Sequence, residues 1–247
     1  FYSYFLEMLI RFGLLYLSVF KLYAIGKEEM MSTKELIKRY LLFIISLFVA
    51  ALGVAITKKG ELGVSPISSV ANVLSIKYEF LSLGNWLIIW NCVLILGQII
   101  ILRKDFKWIQ LLQVPLSFLF GWFTDFGMWI VSFVPVNGYI ARLLCILAGT
   151  AVLGFGIALS VTANVIMNSG EAFVKAISDV TDKAFGNVKI IFDVSCVLIA
   201  VILSLIFFGG RIEGTREGTV IAAFLTGITV KIYIRFVRKP LDTILKR

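Results

Sequence analysis

Leu83-Gly84-Asn85-Trp86-Leu87-Ile88-Ile89-Trp90-Asn91 opens an apolar run that lasts to Leu102, and Phe185-Gly186-Asn187-Val188-Lys189-Ile190-Ile191-Phe192-Asp193 opens another that lasts to Phe208. Each run reaches the roughly 20 residues that a helix needs to cross a bilayer. The shared Gly-Asn opening recurs 102 residues later, which suggests a duplicated unit. Two further matches keep the same order. Gly53 and Gly156 precede Gly84 and Gly186 by 31 and 30 residues, and Phe118-Leu119-Phe120-Gly121 after the first run resembles Phe224-Leu225-Thr226-Gly227 after the second. Co-linear matches of this kind are the mark of an internal repeat.

Working outward, the hydropathy predicts six spans. They run from about Tyr40 to Thr57, Asn85 to Leu102, Trp108 to Val134, Gly138 to Thr162, Val188 to Phe208 and Gly218 to Val237. The expected fold is therefore an all-α integral membrane protein of two three-helix repeats, residues 30–135 and 136–247. An odd number of spans per repeat inverts the second relative to the first. Residues 1–29 stand apart. Lys27-Glu28-Glu29 precedes Met30-Met31, and its codons can hold a bacterial ribosome-binding sequence. The expectation is a translated leader before a start at Met30 or Met31, with an extra N-terminal helix as the alternative.

Composition agrees with a membrane protein. Of 247 residues 60% are hydrophobic and 16% charged, against about a quarter charged in soluble domains. The mean hydropathy is +0.96. Histidine is absent, which removes the commonest general base and metal ligand. Cys92, Cys145 and Cys196 lie singly in apolar runs and read as small buried hydrophobes. No catalytic residue, metal ligand or cofactor is expected, and the chain is not read as an enzyme. The net charge of +9 fits topology and lipid headgroups better than nucleic acid. Lys34, Lys38, Arg39, Arg103, Lys104, Lys107, Lys175, Lys183, Arg235, Arg238, Lys239, Lys246 and Arg247 fall on one side. Only Lys58, Lys59, Lys77, Arg142, Arg211 and Arg216 fall on the other. The positive-inside rule then places both termini in the cytoplasm.

Two connections are unlike ordinary loops: Glu61–Leu74 and Asn168–Ser178. Each opens with small, helix-breaking residues and turns amphipathic over a length too short to span, as re-entrant or interfacial segments do. They hold matching places in the two halves. Non-helical backbone at membrane depth persists only inside protein or beside a wet cavity. Helix N-termini aimed inwards there carry partial positive charge and free N–H groups. The candidate binding residues are Ser65, Ser68 and Asn72 on the first segment, and Asn168, Ser169 and Glu171 on the second. Asp125 and Asp193 join them, because ionisable groups within spans cost about 3 kcal/mol on insertion scales. The spacing lets Glu171 pair with Lys175, and Lys189 with Asp193. The serines could equally serve as a small-residue packing surface.

Gly63-Val64-Ser65-Pro66 with Gly84, and then Gly186-Asn187-Val188-Lys189-Ile190-Ile191-Phe192-Asp193 and Arg216-Glu217-Gly218-Thr219, resemble the bacterial YczE/YyaS/YitT group of membrane proteins. The resemblance covers about Lys34 to Lys239. It implies the fold and a bacterial membrane location, and carries over no substrate or site.

The expected function is a small-solute transporter or channel with its site between the repeats, since interrupted inverted repeats recur in such proteins. No G-x-x-x-x-G-K-[ST] run is present, so transport would be passive, ion-coupled or driven by a separate energising subunit. Lipid and an unidentified small solute are the expected partners, with room for a homo-oligomer. The alternative is a non-transporting scaffold or regulator.

Overall fold

The computed structural model describes residues 32–246. The leader reading falls on residues 1–29, outside the described residues. Arg39 onward forms one compact unit.

Among the described residues the fold is all-α. The elements are α1 (Thr33–Lys59), α2 (Pro66–Lys77), α3 (Leu83–Leu102), α4 (Gln113–Ser132), α5 (Tyr139–Ala163), α6 (Ser169–Thr181), α7 (Phe185–Phe207) and α8 (Glu217–Lys246). Six of these are long and apolar enough to cross a membrane; α2 and α6 are not. At 1.5 Å per residue the two short helices are about 20 Å long, against a hydrocarbon core of about 30 Å.

The six expected spans are all present, with three differences at their ends: the first begins at Thr33, ahead of the expected Tyr40. The third begins as a 3-10 turn, Trp108–Leu112, and becomes α-helical at Gln113. Pro115 falls in the first turn, where a missing N–H costs nothing. The sixth runs on from Val237 to Lys246 through Pro240. Its end is tied back: Arg39 reaches Asp242 at 3.7 Å.

Lipid is as apolar as leucine, so helices in a bilayer associate through close packing of small residues. The contact of α1 with α5 is built that way and is reciprocal. A Cβ on Gly53 would stand 2.8 Å from the Leu153 Cβ, and one on Gly156 would stand 2.8 Å from the Ala50 Cβ. Gly156 follows Gly53, and Leu153 follows Ala50, by the same 103 residues. The helix ends follow suit. Glu61 after α1 and Asn164 after α5 are both left-handed, at φ 57° and 52°, as residues just beyond a helix C-terminus commonly are. Arg39 donates to the Thr162 and Ala163 carbonyls that close α5. Arg142, 103 residues later, meets Glu61 at 2.9 Å beside the end of α1. The third long helix of each half packs on the first through aromatic edges: Phe48 on Phe123 and Phe155 on Tyr233, both at 5.3 Å.

Both short helices lie between α3 and α7, and each touches the α3 or α7 of the other half as well as its own. In the first half α3 also packs tightly on α4. A Cβ on Gly121 would come within 2.6 Å of the Gly84 carbonyl and 2.5 Å of the Ile88 Cγ1. Among the described residues, the matching Gly186 and Gly227 in the second half have nothing within 4 Å of a Cβ.

Candidate functional site

The site is assembled where α2 and α6 meet by their N-terminal turns. A Cβ on Gly170, the second residue of α6, would stand 2.9 Å from the Cδ1 of Ile67, the second residue of α2. The preceding residues Ser65 and Asn168 have nearly the same backbone, φ −58° and −61° with ψ 149° and 150°. Such extended residues start a helix while leaving its first N–H groups free. Asn168 accepts from the Ser169 N–H at 3.0 Å. Ser65 instead donates to Ser68 at 2.9 Å, and both are buried.

Around the start of α6 the polar groups come from α3 and α4. Gln98 and Gln113 exchange amide hydrogen bonds at 3.0 and 3.1 Å, and Gln98 also donates to the Ser169 carbonyl at 3.2 Å. The Ser117 and Ser169 hydroxyls share a hydrogen bond at 3.2 Å. All four side chains are buried. Removing either amide would strand the other, which costs about 1–3 kcal/mol. A small cavity opens beside Asn168 and Ser169 against Phe43, Leu47 and Met167. Its room of about 10 Å³ suits one water.

Around the start of α2 the partners come from α8 and α7. The Val64 N–H donates to Thr219 at 3.3 Å, and Ser69 reaches the Cys196 carbonyl at 3.3 Å. Gly63 permits this approach: its φ is 127°, and a Cβ there would stand 2.7 Å from the Thr219 nitrogen. One turn further on, Asn72 accepts from Lys58 Nζ at 2.6 Å and donates to the Gly214 carbonyl at 2.6 Å.

Glu171 lies half-buried in the first turn of α6, within electrostatic reach of Lys189 and Asp193 on α7. Burial pushes its carboxyl above the usual carboxylate range, while the Lys189 ammonium and its own backbone N–H work against that shift. Lys189 and Asp193 form the expected pair, Nζ to the two carboxylate oxygens at 2.5 and 2.7 Å. The pairing of Glu171 with Lys175 does not form. Lys175 is exposed and meets Asp179 at 2.5 Å. Both acids are one turn away, and only Asp179 shares the solvent-facing side with it.

The structure thus brings seven of the eight sequence candidates to α2, α6 and the adjoining face of α7. Asp125 stands elsewhere. It accepts from Ser82 at 2.5 Å and from the Gly84 N–H at 2.8 Å, holding the N-terminus of α3. Gln98, Gln113, Ser117, Thr219 and Lys58 were missed. An amide inside an apolar run was an available signal for the first two; spacing gave none for the others.

A family model matches residues 37–235, from the second turn of α1 well into α8. The chain belongs to DUF6198, a family of unknown function. The match takes in both short helices and every residue of the polar junction, so in this DUF6198 member the site lies inside the family's common region. Neither a curated protein nor a solved structure matches the chain.

Proposed function

We propose that this multi-pass membrane protein is a small-solute transporter or channel whose path runs through the junction of α2 and α6. One observation carries the reading: two short helices meet N-terminus to N-terminus among buried serines and amides. Facing N-termini place partial positive charge and spare N–H groups at one spot, and irregular backbone at membrane depth persists only in protein or beside water. The reciprocal contacts across the 103-residue offset support an inverted duplication, the plan on which many transporters are built. Lysine and arginine placement supports an orientation with both termini in the cytoplasm. The YczE/YyaS/YitT resemblance implies a bacterial cytoplasmic membrane. Ser65, Ser68, Asn72, Asn168 and Ser169 would line the path. Glu171 and Asp193 would respond to the charge of what passes.

The second reading is a non-transporting scaffold or regulator. The observation in its favour is that the buried polar groups at the junction bond largely to one another and leave room for about one water.

The deciding measurement is the melting temperature of purified protein against a library of small anions, cations, amino acids and vitamins. A ligand that binds only the folded state adds about 2.7 kcal/mol at a hundred times its Kd. The expected result is a hit lost in Glu171→Gln or Asp193→Asn with the fold intact, followed by flux into liposomes. No hit, with lowered melting temperatures in both variants, would replace transport by the scaffold reading.

A further inference from the structure

We propose that the face of α8 turned away from α5 binds an anionic phospholipid, with Lys231 and Arg235 holding the headgroup phosphate and Val220, Phe224 and Ile228 lying along the acyl chains. Such a surface needs no transported solute, so it stands or falls apart from the transport reading.

α8 is attached along one side. A Cβ on Gly154 of α5 would stand 3.0 Å from the Thr229 Cβ, and Tyr233 packs on Phe155 at 5.3 Å. Only 6% of its most apolar stretch is buried within the protein, against 22% or more in each of the other five spans. At 3.6 residues per turn, Lys231, Arg235 and Arg238 fall within about 60° of one another, opposite Thr229 and Tyr233. Val220, Phe224 and Ile228 continue the same stripe towards Glu217. All six are exposed.

The order of groups along that stripe is the order within a phospholipid. At 1.5 Å per residue the apolar part from Val220 to Lys231 is about 16 Å long, close to half of a hydrocarbon core of about 30 Å. The cations from Lys231 to Arg238 then cover about 10 Å, from the acyl boundary into the headgroup layer. Long Lys and Arg stems lie on apolar surface while their charged ends reach for the interface. Among the described residues no hydrogen bond or ion pair engages Lys231 or Arg235. Arg238 leans on Asp242 at 4.0 Å, and Asp242 is shared with Arg39 at 3.7 Å. An unpaired cation within a span is costly, and an acidic headgroup supplies the missing charge, as it does at other basic patches beside spans. A second copy of the chain fits worse. In a two-fold dimer α8 would run parallel to its copy and bring like charges together.

The test is lipid binding to the purified full chain, counted by native mass spectrometry. Phosphatidylglycerol and phosphatidylcholine with the same acyl chains are compared. One cation near an acidic lipid surface strengthens association about fivefold, so the parent should take its first phosphatidylglycerol at least about fivefold more tightly than phosphatidylcholine. Lys231→Gln/Arg235→Gln should lose most of that preference. Lys104→Gln/Lys107→Gln removes the same charge from the turn between α3 and α4 and should keep the preference to within about twofold, because those cations lie off this face. Lys231→Arg/Arg235→Lys should keep it too, and gel filtration checks that each variant is folded. Equal binding of the two lipids by the parent would overturn the inference. So would equal losses in the two glutamine pairs, since net charge and not this face would then be acting. Displacement of the lipid by free glycerol phosphate at matching concentration would remove the acyl stripe from the site and sink the proposal. A dimeric parent that takes up no phosphatidylglycerol would give the face to a second copy and do the same.

Discussion

Gly84 and Gly186 open matching helices, yet one is sealed against Gly121 and the other has no described atom within 4 Å of where its Cβ would be. The difference shows that matching stretches of sequence need not meet matching surroundings. The same small residue is a helix contact in one half and not in the other among the described residues, and what decides is the neighbouring helix. In the first half an aspartate on α4 caps α3. In the second half Lys231, four residues after Gly227 on α8, holds the place that Asp125 has four residues after Gly121.

The sharpest way to break this comparison is to add bulk at both places. Gly84→Leu should destabilise by about 3 kcal/mol or abolish folding, as overpacking does. Gly186→Leu should stay within about 0.5 kcal/mol, as surface changes do. Melting temperatures in detergent measure both, and equal losses would end the claim that the two sides differ.

A smaller effect is expected at the amide pair. Gln98→Leu strands Gln113 and the Ser169 carbonyl and should cost about 1–3 kcal/mol. Gln98→Leu/Gln113→Leu should recover part of that, because neither amide is then orphaned. The counterpart of Gln98 in α7 is the buried Ala200. The network therefore belongs to one side only, and the double-mutant result tells whether it is structural.

Asp125→Ala should cost about 1 kcal/mol, the usual effect of losing a helix cap. Lys231→Ala should change stability by less than about 0.5 kcal/mol. Denaturation of the two variants side by side sharpens the comparison, and an Asp125→Ala protein as stable as the parent would remove Asp125 from it.

The smallest effect is a pH dependence. The Glu171 carboxyl titrates above its ordinary range in the folded state. The folded state therefore holds the proton more tightly than the unfolded one. This contribution to stability is complete below about pH 4.3 and is lost as pH rises through the elevated value. Glu171→Gln should lack it, so the melting-temperature gap between variant and parent should shift in the variant's favour as pH climbs above about 4.3. A gap that stays constant from pH 4 to 8 would show that Glu171 does not titrate there.

Much of this fold was legible in the sequence. The six spans announce themselves because hydropathy is local, and α2 and α6 were marked by Gly63-Val64-Ser65-Pro66 and Asn168-Ser169-Gly170, which break one helix and start the next. Lys189 and Asp193 were found because a pair four residues apart on one helix needs no tertiary knowledge. Partners across the fold were not legible. Spacing alone cannot tell that Glu171 turns towards α7 while Lys175 takes Asp179, or that Asp125 serves α3 and stands apart from the junction. Gln98 and Gln113 lie fifteen residues apart on different helices, and only the turn between Leu102 and Gln113 brings them face to face.

The placing of α2 has a consequence in time. Its partner α7 begins at Phe185, 108 residues after α2 ends at Lys77. At roughly 5–20 residues per second, α2 leaves the ribosome about 5–20 seconds before the helix that covers it exists. Through that interval Asn72 has Lys58 and α2 has α3 beside it, but Ser69 still lacks the Cys196 carbonyl. A nascent chain halted before Phe185 should therefore hold α2 exposed at the membrane, and the protein completes its first half only by finishing its second.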